Sequence, residues 1–109
     1  MSLSTHILDT AHGKPAAGVT IILERAGETL FAGTTNEDGR CPAIRELEVG
    51  PGSYRLRFAV AAYFRGLGVD LPDPPFLDEI AIDFGIADAS HYHVPLLVSP
   101  FGYSTYRGS

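Results

Sequence analysis

Apolar and polar residues alternate along most of this chain, the pattern of strands buried on one face. Val19, Ile21 and Leu23 alternate with Thr20, Ile22 and Glu24, which predicts a strand, and Thr29 to Thr35 reads as its hairpin partner. Asn36-Glu37-Asp38-Gly39 predicts a turn, because these residue types tolerate the backbone angles that tight turns demand. Pro51-Gly52 opens another turn, followed by Tyr54, Leu56, Phe58 and Val60 on one face and Arg55 and Arg57 on the other. A further strand carries Ile80, Ile82 and Phe84 inward, and the last long one runs from His91 to Ser99. The helical pattern is confined to Ala61–Leu67, where Tyr63 and Leu67 share a face and Gly66 or Gly68 can end the turn. Leu71 to Pro75, with three prolines, must be a loop. Short strands at regular spacing predict an all-β fold, an antiparallel β-sandwich or barrel with one short helix, in a single domain over residues 1–109.

Composition narrows the partners. The 109 residues are 45% hydrophobic and 19% charged, the balance of a globular chain with its own core. Thirteen acidic residues against eight Lys and Arg give a net charge of −5, which argues against a phosphate-neutralising, nucleic-acid-binding surface. A few arginines can still make one pocket locally positive for a small anionic ligand. Cys41 is alone, so neither a disulfide framework nor a cysteine-based metal site is expected. Met1 to Asp9 lack a basic region followed by an apolar stretch, and no apolar run approaches the roughly 20 residues of a membrane helix. Neither a secretory signal nor a membrane partner is expected, and a cytoplasmic location is the default.

Candidate chemistry lies at the two ends. In a strand, His91 and His93 share a face, roughly 6.5–7 Å apart, while Tyr92, Val94, Leu96 and Val98 form the opposite, core-like face. The histidine face continues through Pro95 and Leu97, so apolar residues stand on both sides and a second chain is expected to cover it. In the first strand Thr5, Ile7 and Asp9 alternate with Ser4, His6 and Leu8, which leaves His6 as a polar exception beside Leu8. Taken singly, each histidine is more often structural than catalytic, Arg40 is an ordinary turn residue, and Tyr106 and Arg107 are a frayed tail. The His91/His93 pair lacks a third ligand in sequence, so no metal is expected.

Gly13-Lys14-Pro15-Ala16, Thr35-Asn36-Glu37-Asp38-Gly39-Arg40 and Pro51-Gly52-Ser53-Tyr54 are similar to many prealbumin-like and carboxypeptidase-regulatory-type sandwiches, which bears on fold and not on chemistry. The ends are more specific. Leu3-Ser4-Thr5-His6-Ile7-Leu8-Asp9, His91-Tyr92-His93-Val94-Pro95 and the closing Tyr106-Arg107-Gly108-Ser109 resemble the hallmark segments of 5-hydroxyisourate hydrolases in the transthyretin-like family. Transthyretin carriers share a stretch like Ser99-Pro100 to Tyr103-Ser104-Thr105, but lack the His-Tyr-His segment and the Tyr-Arg-Gly-Ser ending.

The resemblance implies His6, Arg40 and His93 as catalytic residues, and His6, Arg40, Tyr106, Arg107 and Ser109 as contacts to substrate. It implies no cofactor, and a homotetramer with active sites where dimers meet. It implies hydrolysis of 5-hydroxyisourate, in urate breakdown, to an ureidoimidazoline acid. His6 or His93 would activate water, Arg40 would stabilise the oxyanion, and the tail with Tyr106 would close over the ring. Cys41 is not required by the pattern. The chain departs from the family at the short Arg25–Thr34 segment, where Leu30 or Phe31 stands in place of a common tryptophan. Leu71 to Leu77 and Val98 also differ, and none of these is a proposed catalytic position. A non-catalytic small-ligand carrier and a structural sandwich module are the alternatives.

Overall fold

A computed structural model describes residues 2–108; Ser109, expected at the substrate, lies outside the described residues. Eight strands follow in chain order: β1 (Leu3–Asp9), β2 (Lys14–Pro15), β3 (Thr20–Arg25), β4 (Glu28–Thr34), β5 (Gly52–Phe58), β6 (Ile80–Ile86), β7 (Tyr92–Ser99) and β8 (Gly102–Thr105). They form two four-stranded sheets, ordered β2-β1-β7-β8 and β4-β3-β5-β6, packed face to face as a β-sandwich. A short 3-10 helix (Pro42–Glu46) follows the Asn36–Gly39 turn, and α1 (Val60–Gly66) joins β5 to the proline-rich loop. No helix among the described residues is long and apolar enough to cross a membrane.

Alternation sets the core. Ile21 and Leu23 of β3, Tyr54, Leu56 and Phe58 of β5, and Ile80, Ile82 and Ile86 of β6 face Leu3 and Ile7 of β1 and Tyr92, Val94, Leu96 and Val98 of β7, all buried. Arg55 and Arg57 project from the opposite face, as expected, and pair with Asp83 and with Glu79 and Glu24. The β3–β4 hairpin closes through Ala26 and Gly27, both at positive φ, a two-residue turn whose twist suits paired strands. Its second strand starts at Glu28, one residue before the expected Thr29.

Two features differ from the local pattern. The helix buries Val60, Ala61, Tyr63 and Phe64, whereas Leu67 is exposed, so Tyr63 and Leu67 do not share a buried face. A helix of under two turns docks by its N-terminal half, and its last residues point outward. The second is that β1 and β7 pair in parallel, Leu3 opposite Tyr92 through Asp9 opposite Val98, within an otherwise antiparallel sandwich. Alternation within a strand specifies its faces and not the direction of its neighbour.

At the end of β1, the buried carboxylate of Asp9 gathers the Ala11 and His12 amides, both at 3.0 Å, His12 Nδ1 at 2.6 Å and the Tyr63 hydroxyl at 2.8 Å. Burial alone would push its pKa up; hydrogen bonds from Tyr63 and His12 outweigh this and hold it below the ordinary carboxylate range. A folded-state pKa below the unfolded one contributes stability above the unfolded pKa, lost as pH falls through the folded one. Asp9→Asn is therefore expected to cost about 2 kcal/mol at neutral pH, since charge-assisted bonds are exchanged for neutral ones. In urea denaturation at a series of pH values the gap from the parent should narrow below the carboxylate range; a constant gap would refute the charge-based account.

Candidate active site

Parallel pairing of β1 with β7 brings the two ends of the chain together on the sheet face turned away from the core. Ser4 lies opposite His93 and His6 opposite Pro95. With strands about 4.8 Å apart and a two-residue rise of about 6.6 Å, His6 and His93 stand about 8 Å apart across the ladder. Arg40 joins from the other side, since His6 and Arg40 form an antiparallel bridge and the Ile7 amide donates to the Gly39 carbonyl at 2.8 Å. Asn36 holds this turn, its side-chain oxygen accepting from the Asp38 and Arg40 amides. Gly39 is required here. Its φ is +73°, and a Cβ would fall 2.4 Å from the Ile7 carbonyl oxygen.

His6, Arg40 and His93 thus converge within one chain, with His91 beside them. His93 is held below the ordinary imidazole pKa, first by burial, then by the charges of Arg40, His6 and His91; its contact with Ser4 pulls weakly the other way. At neutral pH its ring is a neutral imidazole able to accept a proton. The Arg40 guanidinium makes no hydrogen bond among the described residues and lies exposed beside this ring. Cys41 differs. It is buried, and burial pushes its thiol pKa up, so Arg40 next to it in sequence does not make it a nucleophile.

The tail folds back along β7. Thr105 opposes Leu96 and Gly108 opposes His93, so the same register sets Tyr106 opposite Pro95. Proline has no amide proton, and the ladder is interrupted at that point. The Gly108 amide donates to the His93 carbonyl at 2.8 Å. A Cβ on Gly108 would meet His93 Cδ2 at 2.5 Å, so only glycine lets the tail lie against that ring. Arg107 turns to the other side, stacks over the Tyr92 ring at 3.9 Å and donates to Ser90 Oγ and the His91 carbonyl. Within one chain it braces the His91–His93 segment from behind and stands apart from the imidazoles, while Tyr106 is exposed.

Sequence reading gave Ser2 and Ser4 no role. Ser4 Oγ lies 2.9 Å from His91 Nε2 and 2.7 Å from His93 Nδ1, and Ser2 Oγ contacts His91 Nδ1. The available signal was the alternation of Ser4 with His6 on one face; what was missing was the strand opposite. Among the described residues no three His, Cys, Asp or Glu side chains are grouped as a metal ion needs. Two surface hollows, of about 500 and 240 Å³, lie around Tyr54 and Phe84 and between Ile82, Val94 and Thr105. The histidine cluster itself is an open sheet face flanked by Leu8, Pro95 and Leu97.

The model of the HIUase/Transthyretin family matches residues 3–108. The 5-hydroxyisourate hydrolase of Mesorhizobium japonicum is 56% identical over 113 residues, covering 98% of this chain and 91% of the relative. The solved 5-hydroxyisourate hydrolase of Klebsiella pneumoniae superposes with a TM-score of 0.88 at 42% identity, over 100% of both chains. Sea bream transthyretin in complex with thyroxine superposes with a TM-score of 0.85 at 28% identity, over 99% of this chain and 95% of that one. The resemblance carried by the two termini therefore extends to the whole fold, and the chain belongs to the HIUase/Transthyretin family.

Proposed function

We propose that this protein is a 5-hydroxyisourate hydrolase, opening the six-membered ring to 2-oxo-4-hydroxy-4-carboxy-5-ureidoimidazoline. The observation that carries the reading is the convergence of His6, Arg40 and His93, from three separate parts of the chain, on one sheet face. Relatives such as the Mesorhizobium japonicum hydrolase support the substrate. Water attacks a ring carbonyl carbon and gives its proton to His93, whose ring is neutral at working pH. Oxygen gains negative charge as the carbon becomes tetrahedral, and Arg40, a cation at every working pH, faces it. The carbon–nitrogen bond then breaks, and the leaving nitrogen takes the proton from His93. His6 orients the water or the ring, and Tyr106 with the tail covers the planar substrate, while Arg107 braces the His91–His93 segment from behind.

One sheet face is too open to exclude water, and Leu8 and Leu97 beside the histidines remain partly exposed. A second copy across this face would close the cleft, and the family resemblance extends this pairing to a homotetramer with its sites at the dimer–dimer interface. Sedimentation of the protein should then give four chains. A carrier function is less favoured, because relatives named hydrolases match more closely than the thyroxine-bound transthyretin.

The test is to generate 5-hydroxyisourate from urate with uricase and follow its ultraviolet absorbance with and without the protein. Accelerated decay is expected; decay at the spontaneous rate would defeat the reading. The acid limb of the rate should lie below the ordinary imidazole range, because burial and the neighbouring charges hold the His93 pKa down and keep the base unprotonated further into acid. An acid limb at or above the ordinary imidazole value would remove His93 as the base.

A further inference from the structure

We propose that Ser4 is a positioning residue whose single hydroxyl proton couples His91 to His93 and sets which ring nitrogen of His93 is protonated. The inference rests on the reading of His93 as the base. Its ground is the unbroken run Ser2 Oγ, His91, Ser4 Oγ, His93, in which Ser4 bridges His91 Nε2 at 2.9 Å and His93 Nδ1 at 2.7 Å. Ser4 is 8% exposed, so water does not readily take over either contact. No buried side-chain polar atom among the described residues is left without a partner.

A serine hydroxyl has one proton to give and lone pairs to receive. Between two neutral imidazoles it donates to one ring and accepts from the other. When Ser4 donates to His91 Nε2, it accepts from His93 Nδ1–H, and His93 Nε2 presents a bare lone pair to the cleft: the base arrangement. In the reverse arrangement Ser4 donates to His93 Nδ1, and Nε2 carries the proton and cannot accept one. In the first arrangement His91 keeps its own proton on Nδ1 and donates it to Ser2 Oγ, so the run is hydrogen-bonded from end to end.

The same bridge relocates charge after water is deprotonated. His93 then carries protons on both nitrogens, close to the positive Arg40. Its Nδ1 proton passes to Ser4 Oγ while the Ser4 proton passes to His91 Nε2. His93 is left neutral with a proton on Nε2, and the charge sits on His91, one ring further from Arg40. When the leaving nitrogen takes the Nε2 proton, the same two protons return and the starting arrangement is restored. Every proton is accounted for within the run, and no bond other than those to hydrogen is altered.

The test reads the tautomer directly, by long-range nitrogen–proton NMR of the imidazole rings in the assembled protein. The parent should show His93 protonated on Nδ1. In Ser4→Ala, His93 should move to the Nε2-protonated form and kcat should fall on the order of tenfold to a hundredfold with KM little changed; Ser4→Thr, which keeps a hydroxyl, should recover part of both. Should Ser4→Ala not fold, His91→Ala serves in its place: Ser4, without its acceptor, turns to donate to His93 Nδ1, and the same tautomer change is expected. A His93 tautomer unchanged in these variants overturns the proposal. A parent protein that leaves 5-hydroxyisourate untouched defeats the hydrolase reading instead, and the NMR result still decides the coupling.

Discussion

His93→Ala is expected to lower kcat/KM for 5-hydroxyisourate by about 10²–10⁴-fold, the contribution of a well-placed general base. Its ring occupies the centre of the cluster, with Ser4 behind it, His6 and Arg40 beside it, and the Gly108 backbone against its edge. Burial and the charges of Arg40, His6 and His91 hold its pKa below the ordinary imidazole range, which suits it to take a proton beside the guanidinium. The fold should tolerate the change. The side chain is half-buried on the outer face, and its carbonyl keeps the amide of Gly108. Steady-state kinetics alongside a thermal melt separates the two effects. A variant within tenfold of the parent rate, at unchanged melting temperature, would remove His93 from the proton-transfer step.

The largest expected effect on stability is at a residue with no side chain. Gly39→Ala places a Cβ 2.4 Å from the Ile7 carbonyl oxygen and 3.2 Å from the Ala16 amide, at a φ of +73°. The left-handed backbone costs an alanine about 1–2 kcal/mol. Relieving the clash must also stretch the Ile7–Gly39 and Ala16–Ile7 hydrogen bonds, now 2.8 and 2.9 Å, at about 1 kcal/mol each. The sum is about 3–4 kcal/mol, which for a domain of this size is on the order of 10–20 °C in Tm. Gly13→Ala is the control. Its φ is +67° but a Cβ there meets nothing within 4 Å, so only the conformational cost of about 1–2 kcal/mol is expected. Equal losses at both sites would show that backbone strain alone acts. Gly39→Ala should also lower activity, because moving the turn from β1 draws Arg40 away from His6.

Alternation in the sequence was enough to determine the core faces of β3, β5 and β7 and to bring Ile80 and Ile82 of β6 inward, because side chains in a strand change face at every residue, whereas Phe84 is only half-buried and Ile86 completes that strand's buried set. It also assigned Arg55 and Arg57 to the outside and the Asn36–Gly39 segment to a turn, both local consequences of pleat and backbone freedom. The motifs at the two termini were legible as residue types. Their meeting was not. Ser4 and His93 are 89 residues apart, and only the choice of β1 and β7 as parallel neighbours puts the hydroxyl between two imidazoles. Likewise Asp9, read as one alternating position of a strand, became the centre of a buried cluster only when α1 delivered Tyr63 to it. Short-range sterics decide faces and turns, whereas strand partners and buried hydrogen bonds depend on what the whole sandwich can pack and satisfy at once.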